Sequence, residues 1–338
     1  NWRSAGRCGL ITAKTNSAAR LPNSVLGVGV SAARSGIMPT GQLMKKKLIP
    51  RLLVFFIGIP AVLFFVAFSA RNHLALHTII IVASAVSAYE TRHLLKQKFS
   101  VQALLPVVLL STLLPTIALL CVLLEQPFEA IAFGLVIAFF VFTALEIFCP
   151  VSADGGGRKP NAASLFSRSA EKIMSSFFTV FYSGYLTTFL SRMTVWNDSA
   201  KYLSVFFLMI FLCDSGAWLF GYLFGGGDRG VCKASPNKSV AGFAGGVCAC
   251  VCVVLGAYVF CPDIFDASLP KVIALALCVA FSSIIGDLGE SVLKRSVNAK
   301  DSGSLIPGRG GMLDSIDSVL TAAPVFYIVS KLFFSGAM

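Results

Sequence analysis

VQALLPVVLLSTLLPTIALLCVLL, residues 101–124, runs without a single charged side chain, and after Glu125-Gln126-Pro127 the chain turns apolar again in FEAIAFGLVIAFFVFTALEIF, residues 128–148. A soluble core helix keeps one polar face, whereas a segment of about 20 residues that is apolar all round matches the hydrocarbon thickness of a bilayer. The same pattern recurs outward in both directions. Nine segments read as membrane-crossing: roughly 51–69, 74–89, 101–124, 128–148, 173–191, 202–224, 240–260, 270–286 and 316–334. Of the 338 residues, 56% are apolar and 13% charged, against about 25% charged in a soluble domain, and the mean hydropathy is +0.80. An ordinary soluble globule and a disordered chain are both excluded.

Loop charge tests the helix count independently. Basic residues before the first segment (Lys45, Lys46, Lys47, with Arg51) are followed by basic loops after the second (Arg92, Lys96, Lys98), fourth (Arg158, Lys159, Arg168, Lys172), sixth (Arg229, Lys233, Lys238) and eighth (Lys294, Arg295, Lys300, Arg309). The intervening loops hold only Arg71, Arg192, Lys201 and Lys271, so 18 basic residues face four across the membrane. Cytoplasmic loops carry the basic excess. The expected fold is therefore all-α, a polytopic integral membrane protein of about nine transmembrane helices with its N-terminus cytoplasmic. The net charge of +12 reads as this loop bias rather than as nucleic-acid binding.

Residues 1–43 stand apart, with Arg3, Arg7, Lys14, Arg20 and Arg34 and no acid. They read either as a leader upstream of Met44-Lys45-Lys46-Lys47, which looks like the start of a bacterial inner-membrane protein, or as an organelle transit peptide. The first reading is preferred, and in both the segment stays out of the fold. The remainder divides into N-terminal transmembrane helices at 44–200 and a C-terminal catalytic transmembrane region at 201–338. The ten cysteines form no disulfide framework, and Cys248, Cys250 and Cys252, two apart on a helix, face different ways and read as packing residues. Gly242 and Gly246 have the spacing of a close helix–helix contact. The histidines 73, 77 and 93 make neither a triad nor a zinc set.

Chemistry-bearing residues gather in the last third. Asp214 lies inside the sixth segment, where a carboxylate is costly and marks function. If the eighth helix continues past Gly286, then Asp287, Ser291 and Lys294 share one face, and Glu290 with Lys294 could be only a surface i, i+4 pair. Residues 300–311 carry Lys300, Asp301 and Arg309 among glycines that include Gly308, Gly310 and Gly311. Glycines let backbone N–H groups approach an anion, and Lys and Arg add charge-assisted bonds to phosphate. Asp314 and Asp317 follow at i, i+3 on one helical face. With Asp287 and Asp301 nearby in the chain, they make an oxygen-only ligand set suited to Mg²⁺ between carboxylates and substrate phosphates. Neither Gly155-Gly156-Gly157 nor Gly225-Gly226-Gly227 continues into a P-loop.

The stretch 291–317 is similar to the signature of the phosphatidate cytidylyltransferases, or CDP-diacylglycerol synthases, at Ser291, Lys294, Arg295, Lys300, Asp301, Gly303, Pro307, Gly308, Gly310, Gly311, Asp314 and Asp317. Asp214-Ser215-Gly216-Ala217-Trp218 resembles the family's Asp-x-x-Ala-aromatic element, and Ser235-Pro236-Asn237-Lys238-Ser239 with Gly242 its Ser-Pro-x-Lys-Thr loop. The likeness covers about 205–320; the earlier helices match in hydropathy alone. Arg309, Ser315 and Ala241 stand where the family usually has His, Arg and Glu. The first two could compensate, since a cation moves from one side of Gly310-Gly311 to the other.

The resemblance implies that CTP and phosphatidate give CDP-diacylglycerol and pyrophosphate at the cytoplasmic face. It assigns Mg²⁺ to Asp287, Asp314 and Asp317, phosphate contacts to Lys294, Arg295, Lys300 and Arg309, and the nucleotide to Lys238, with Asp214 and Ser235 in the substrate site. It adds a second, monovalent cation such as K⁺, a homodimer, and membrane lipids as surroundings. Placement in the inner (plasma) membrane follows if 1–43 is not a transit peptide, and in an organelle membrane if it is. Other readings are a CTP-dependent enzyme on another lipid phosphate or a polyprenol, an ion-coupled transporter with Asp214 and Asp287 at depth, and a non-catalytic scaffold.

Overall fold

A computed structural model describes residues 58–67, 70–150, 162–227, 229–265, 268–306 and 310–334. The leader, its boundary at Met44, Lys45–Lys47, Arg51, the stretch Gly155–Lys159 and Pro307-Gly308-Arg309 lie outside these residues.

The elements are helices α1 Ile59–Ala67, α2 Ala70–Lys96, α3 Leu104–Leu123, α4 Glu129–Phe148, α5 Ala162–Phe166, α6 Ser169–Thr179, α7 Thr188–Met193, α8 Ser199–Phe224, α9 Val240–Phe260, α10 Leu269–Ser296 and α11 Leu313–Phe333. Among the described residues eight spans are long and apolar enough to cross a membrane. They correspond to the second through ninth expected segments. The first is described only as the nine-residue α1.

Three expectations change in extent. The second segment is not short, because α2 runs 27 residues and carries its charged end, Glu90 to Lys96, inside the helix. The eighth continues ten residues past Gly286 to Ser296, so Asp287, Ser291 and Lys294 do ride on one helix. The fifth is not one regular helix, since a π-helical stretch, Val180–Tyr185, separates α6 from α7. That wider turn sets Gly184 against the backbone of Ser111 on α3, where a Cβ would collide with the carbonyl oxygen.

Apolar contact divides into a large cluster centred on α8, α10 and α11, with Tyr202, Phe206, Leu275 and Phe326 fully buried, and a smaller one on α3 and α4 around Leu114, Ile131 and Phe142. Tyr182, Leu186, Leu313 and Leu320 form a third cluster that joins the π-helix to α11. Outward-facing Leu105, Phe133, Phe140 and Phe260 would be a liability in water; against lipid tails they are at no disadvantage.

The α8–α9 pair is the most extensive, and its glycines explain why. A Cβ on Gly242 would press on the Ala217 carbonyl, one on Gly216 on the Gly245 carbonyl, and one on Gly246 on the Cys213 carbonyl. The expected close contact is there, and it extends beyond the Gly242–Gly246 pair. Cys250 is buried while Cys248 and Cys252 are exposed, as helical geometry requires. His73 bonds Ser199 at 2.9 Å, and His77 bonds Ser191 at 3.1 Å and Thr194 at 3.2 Å, so both serve interhelical packing.

The ends of α2, α4 and α10 lie together. Lys98 Nζ donates to the Ser296 carbonyl at 2.9 Å, Ser100 N to Glu171 at 3.1 Å, and Gln102 Nε2 to the buried Glu146 at 2.5 Å. This is the side that carries the basic loops. Single cysteines at Ser235 and Ser304, in a background without native cysteines, should resist an impermeant thiol reagent in right-side-out vesicles and react in inverted ones. Labelling from outside would reverse the orientation.

Candidate active site

The site begins with a turn. Ser235 to Lys238 is closed by Lys238 N donating to the Ser235 carbonyl at 3.1 Å, with Pro236 at the turn position its fixed φ favours. Ser239 then caps α9, its hydroxyl accepting from Gly242 N at 3.1 Å. Capping fixes the backbone one residue after Lys238, whose ammonium pairs with Asp287 on α10. Burial pushes that ammonium below the usual lysine range, while Asp214 and Asp317 pull the other way.

Around this ion pair lies a cavity of about 650 Å³ between α8, α9 and α10, lined by Asp214, Trp218, Arg229, Ser235, Lys238 and Asp287 among others. Four expected site residues, Asp214, Ser235, Lys238 and Asp287, are thus gathered from three separate stretches of chain. Ser239 and Arg229, both in the cavity lining, also bridge in antiparallel fashion.

The second half of the site is built where α10 meets α11. Gly286 admits α11 so closely that a Cβ would strike Thr321 and the Asp317 carbonyl. One turn on, Glu290 is 1% exposed, and Lys294 binds it and Asp314, each at 2.5 Å. Of the readings open for Glu290 and Lys294, the structure shows a buried triad rather than a surface pair, because α11 covers that face of α10. Glu290 Oε1 has no hydrogen-bond partner among the described residues.

Asp314 is heavily engaged. Its Oδ2 accepts from Gly311 N at 2.7 Å and from Ser302 N and Ser302 Oγ, both at 2.9 Å. The loop therefore closes on itself, with Ile306 and Gly310 exchanging backbone hydrogen bonds at 2.8 and 3.1 Å. Gly310 has φ +111, a conformation that favours glycine, and its Cα lies against the Asp314 carboxylate, leaving no room for a Cβ.

The two halves form one electrostatic unit. Asp317, 6% exposed, accepts from Ser318 N at 2.6 Å and feels Glu290, Asp214 and Lys294. Among the described residues of the two halves, the acids Asp214, Asp287, Glu290, Asp314 and Asp317 outnumber the cations Lys238, Lys294 and Arg229. Hard oxygen donors in excess over cations fit Mg²⁺ by chemistry. Among the described residues no three His, Cys, Asp or Glu side chains stand close enough to hold a metal: Asp287 faces Lys238, Asp314 faces Lys294, and Asp317 lies deeper.

The remaining expected residues are more peripheral. Arg295 acts as a strut, donating from Nε to the Ala234 carbonyl and from Nη1 to the Ala299 carbonyl, both at 3.3 Å. Lys300 and Asp301 are exposed on the loop. Gly308 and Arg309 fall outside the described residues, so the exchange of cations with Ser315 stays an expectation.

Comparison with known proteins bears on what such a site does. Residues 49–333 match the family model described as the cytidylyltransferase family. The chain belongs to that family. Relatives named phosphatidate cytidylyltransferase from Staphylococcus saprophyticus, Staphylococcus haemolyticus and Staphylococcus aureus are each 35% identical over 133 residues, 39% of this chain and 50% of theirs. The chain spans about half the length of these curated relatives. Within this cytidylyltransferase-family fold, two features escape the motif reading. Glu290, which the sequence leaves open as one half of a surface pair, is buried with Lys294 and Asp314, and Glu90 on α2, 4% exposed, reaches the start of α11 with hydrogen bonds from Met312 N and Leu313 N. An acid at the end of an apolar segment was the available signal, and ending that segment at residue 89 hid it.

Proposed function

We propose that the chain is a membrane nucleotidyltransferase that makes CDP-diacylglycerol and pyrophosphate from CTP and phosphatidate. The observation that carries this reading is the cavity lined by Lys238, Asp287 and Asp214, on the same helix α10 that carries Lys294 against Asp314. Family membership and the names of the relatives support the substrate pair.

In this reading an oxygen of the phosphatidate phosphate attacks the α-phosphorus of CTP, a new P–O bond forms, and the bond to the β-phosphate oxygen breaks to release pyrophosphate. The attacking group is already an anion, so no strong general base is needed. Lys238 and Arg229 line the cavity and would meet the nucleotide's phosphates. Lys294, whose charge is shared between Glu290 and Asp314, would stabilise charge that develops during transfer. Lys300 and Arg295 lie on or beside the loop that would meet the lipid phosphate, and the resemblance adds Arg309. The resemblance assigns Mg²⁺ to Asp287, Asp314 and Asp317; to hold the ion beside the phosphates, whose charge it would neutralise, Asp287 and Asp314 would have to turn from Lys238 and Lys294. The resemblance alone supports a second cation such as K⁺, a homodimer, and an inner (plasma) membrane location, with an organelle membrane as the alternative.

The test is pyrophosphate release by the purified chain in mixed micelles. Release should require CTP, phosphatidate and Mg²⁺ together. Release with CTP and a polyprenyl phosphate but not phosphatidate would replace the lipid half of this reading, and no CTP-dependent release with any lipid phosphate would remove it.

A further inference from the structure

We infer that Glu90 is a positioning residue of this reaction, acting from outside the signature by clamping the Ser302–Leu313 loop against α11. The inference rests on the nucleotidyl-transfer reading above.

The first N–H groups of a helix have no partner in their own helix, and their dipoles favour a negative charge. At α11 the Ncap residue is Met312, whose side chain makes no capping bond. The carboxylate comes instead from α2, more than two hundred residues earlier in the chain. Glu90 Oε1 accepts from Met312 N at 3.0 Å and Oε2 from Leu313 N at 2.8 Å. Gly303 and Gly311 leave no space for a Cβ beside that carboxylate, so the two ends of the loop close directly onto it.

Ser302 links this clamp to Asp314. Its hydroxyl lies 2.9 Å from Asp314 Oδ2 and 3.4 Å from Glu90 Oε2. It has one proton and so donates to one carboxylate at a time, and the shorter distance favours Asp314. Glu90 therefore holds backbone that Asp314 also holds through Gly311 N, while Asp314 faces Lys294 with its other oxygen. Shifting Met312 and Leu313 would move Asp314 and Asp317 with the helix start. Transition-state groups lose much of their effect when displaced by about 1 Å. Glu90 touches neither the cavity around Lys238 nor its lining residues, so it should act on turnover more than on CTP binding.

The experiment pairs hydrogen exchange with kinetics on the full chain. Glu90→Gln keeps the shape but sets an NH₂ against a backbone donor; Glu90→Ala removes the acceptor. In both, the amides of 302–306 and 310–313 should exchange at least about 10-fold faster, as loss of a buried acceptor implies, while the α8 and α10 amides keep wild-type rates. kcat should fall at least about 10-fold, with the KM for CTP within roughly 3-fold of wild type. Unchanged protection of 302–306 and 310–313 in both variants overturns the clamp. Lost protection with wild-type kcat overturns its part in the reaction. Loss of protection across all helices makes Glu90 a general folding residue and also overturns the proposal. A wild-type chain inactive on CTP and phosphatidate sinks the functional reading instead, and the exchange data still judge the clamp.

Discussion

Asp314→Asn should lower kcat by at least about 10²-fold, the scale of one electrostatic contribution in a transition state, with little change in the amount of folded protein. The reason is geometric. One Asp314 oxygen takes Lys294 and the other takes Gly311 N and the Ser302 N–H and hydroxyl. An amide has only one acceptor oxygen. Whichever way it turns, its NH₂ meets either an ammonium or backbone donors, so the loop or the lysine loses its anchor. The measurement is single-turnover and steady-state kinetics of the purified variant at saturating Mg²⁺. Wild-type turnover would take Asp314 out of the reaction.

Lys238→Met should raise the KM for CTP by about 10- to 100-fold, the range for losing a charge-assisted bond, and affect the KM for phosphatidate much less. Met keeps most of the side-chain volume and the apolar stem, so the change isolates the charge. It also leaves Asp287 without its ion-pair partner in the cavity wall, and an uncompensated carboxylate would repel the nucleotide's phosphates. Direct CTP binding by calorimetry separates the two substrates. Equal losses for both would mean that Lys238 organises the whole site.

Much of this was legible in the chain, for identifiable reasons. The segments at 101–124 and 128–148 agree with α3 and α4 to within a few residues, because an uninterrupted apolar run has one stable form in a bilayer. The ends of α2 and α10 were harder. Hydropathy stops at the first charges, yet both helices continue, since their charged turns are covered by neighbouring elements. Glu90 therefore falls one residue past the apolar run of 74–89, and the sequence alone leaves Glu290 open between a surface pair and a buried one. The π-helix left no mark in the apolar pattern, because it adds a residue to a turn without changing composition. Asp214, Lys238, Asp287, Lys294, Asp314 and Asp317 were found by residue type and motif. Their pairing was not: nothing in the linear order says that Lys238 meets Asp287 while Lys294 meets Asp314. Lys300 and Asp301 match the motif equally well but lie exposed, so any role they have waits on the lipid phosphate.

The most direct test of the central claim follows the phosphorus atoms. The purified chain is given phosphatidate, Mg²⁺ and CTP labelled with ³²P on either the α- or the γ-phosphorus, and the lipid is extracted. Attack at the α-phosphorus predicts that the α label moves into the lipid phase and the γ label stays in water as pyrophosphate. Lipid that acquires the γ label, or that acquires neither while CTP is consumed, would contradict it.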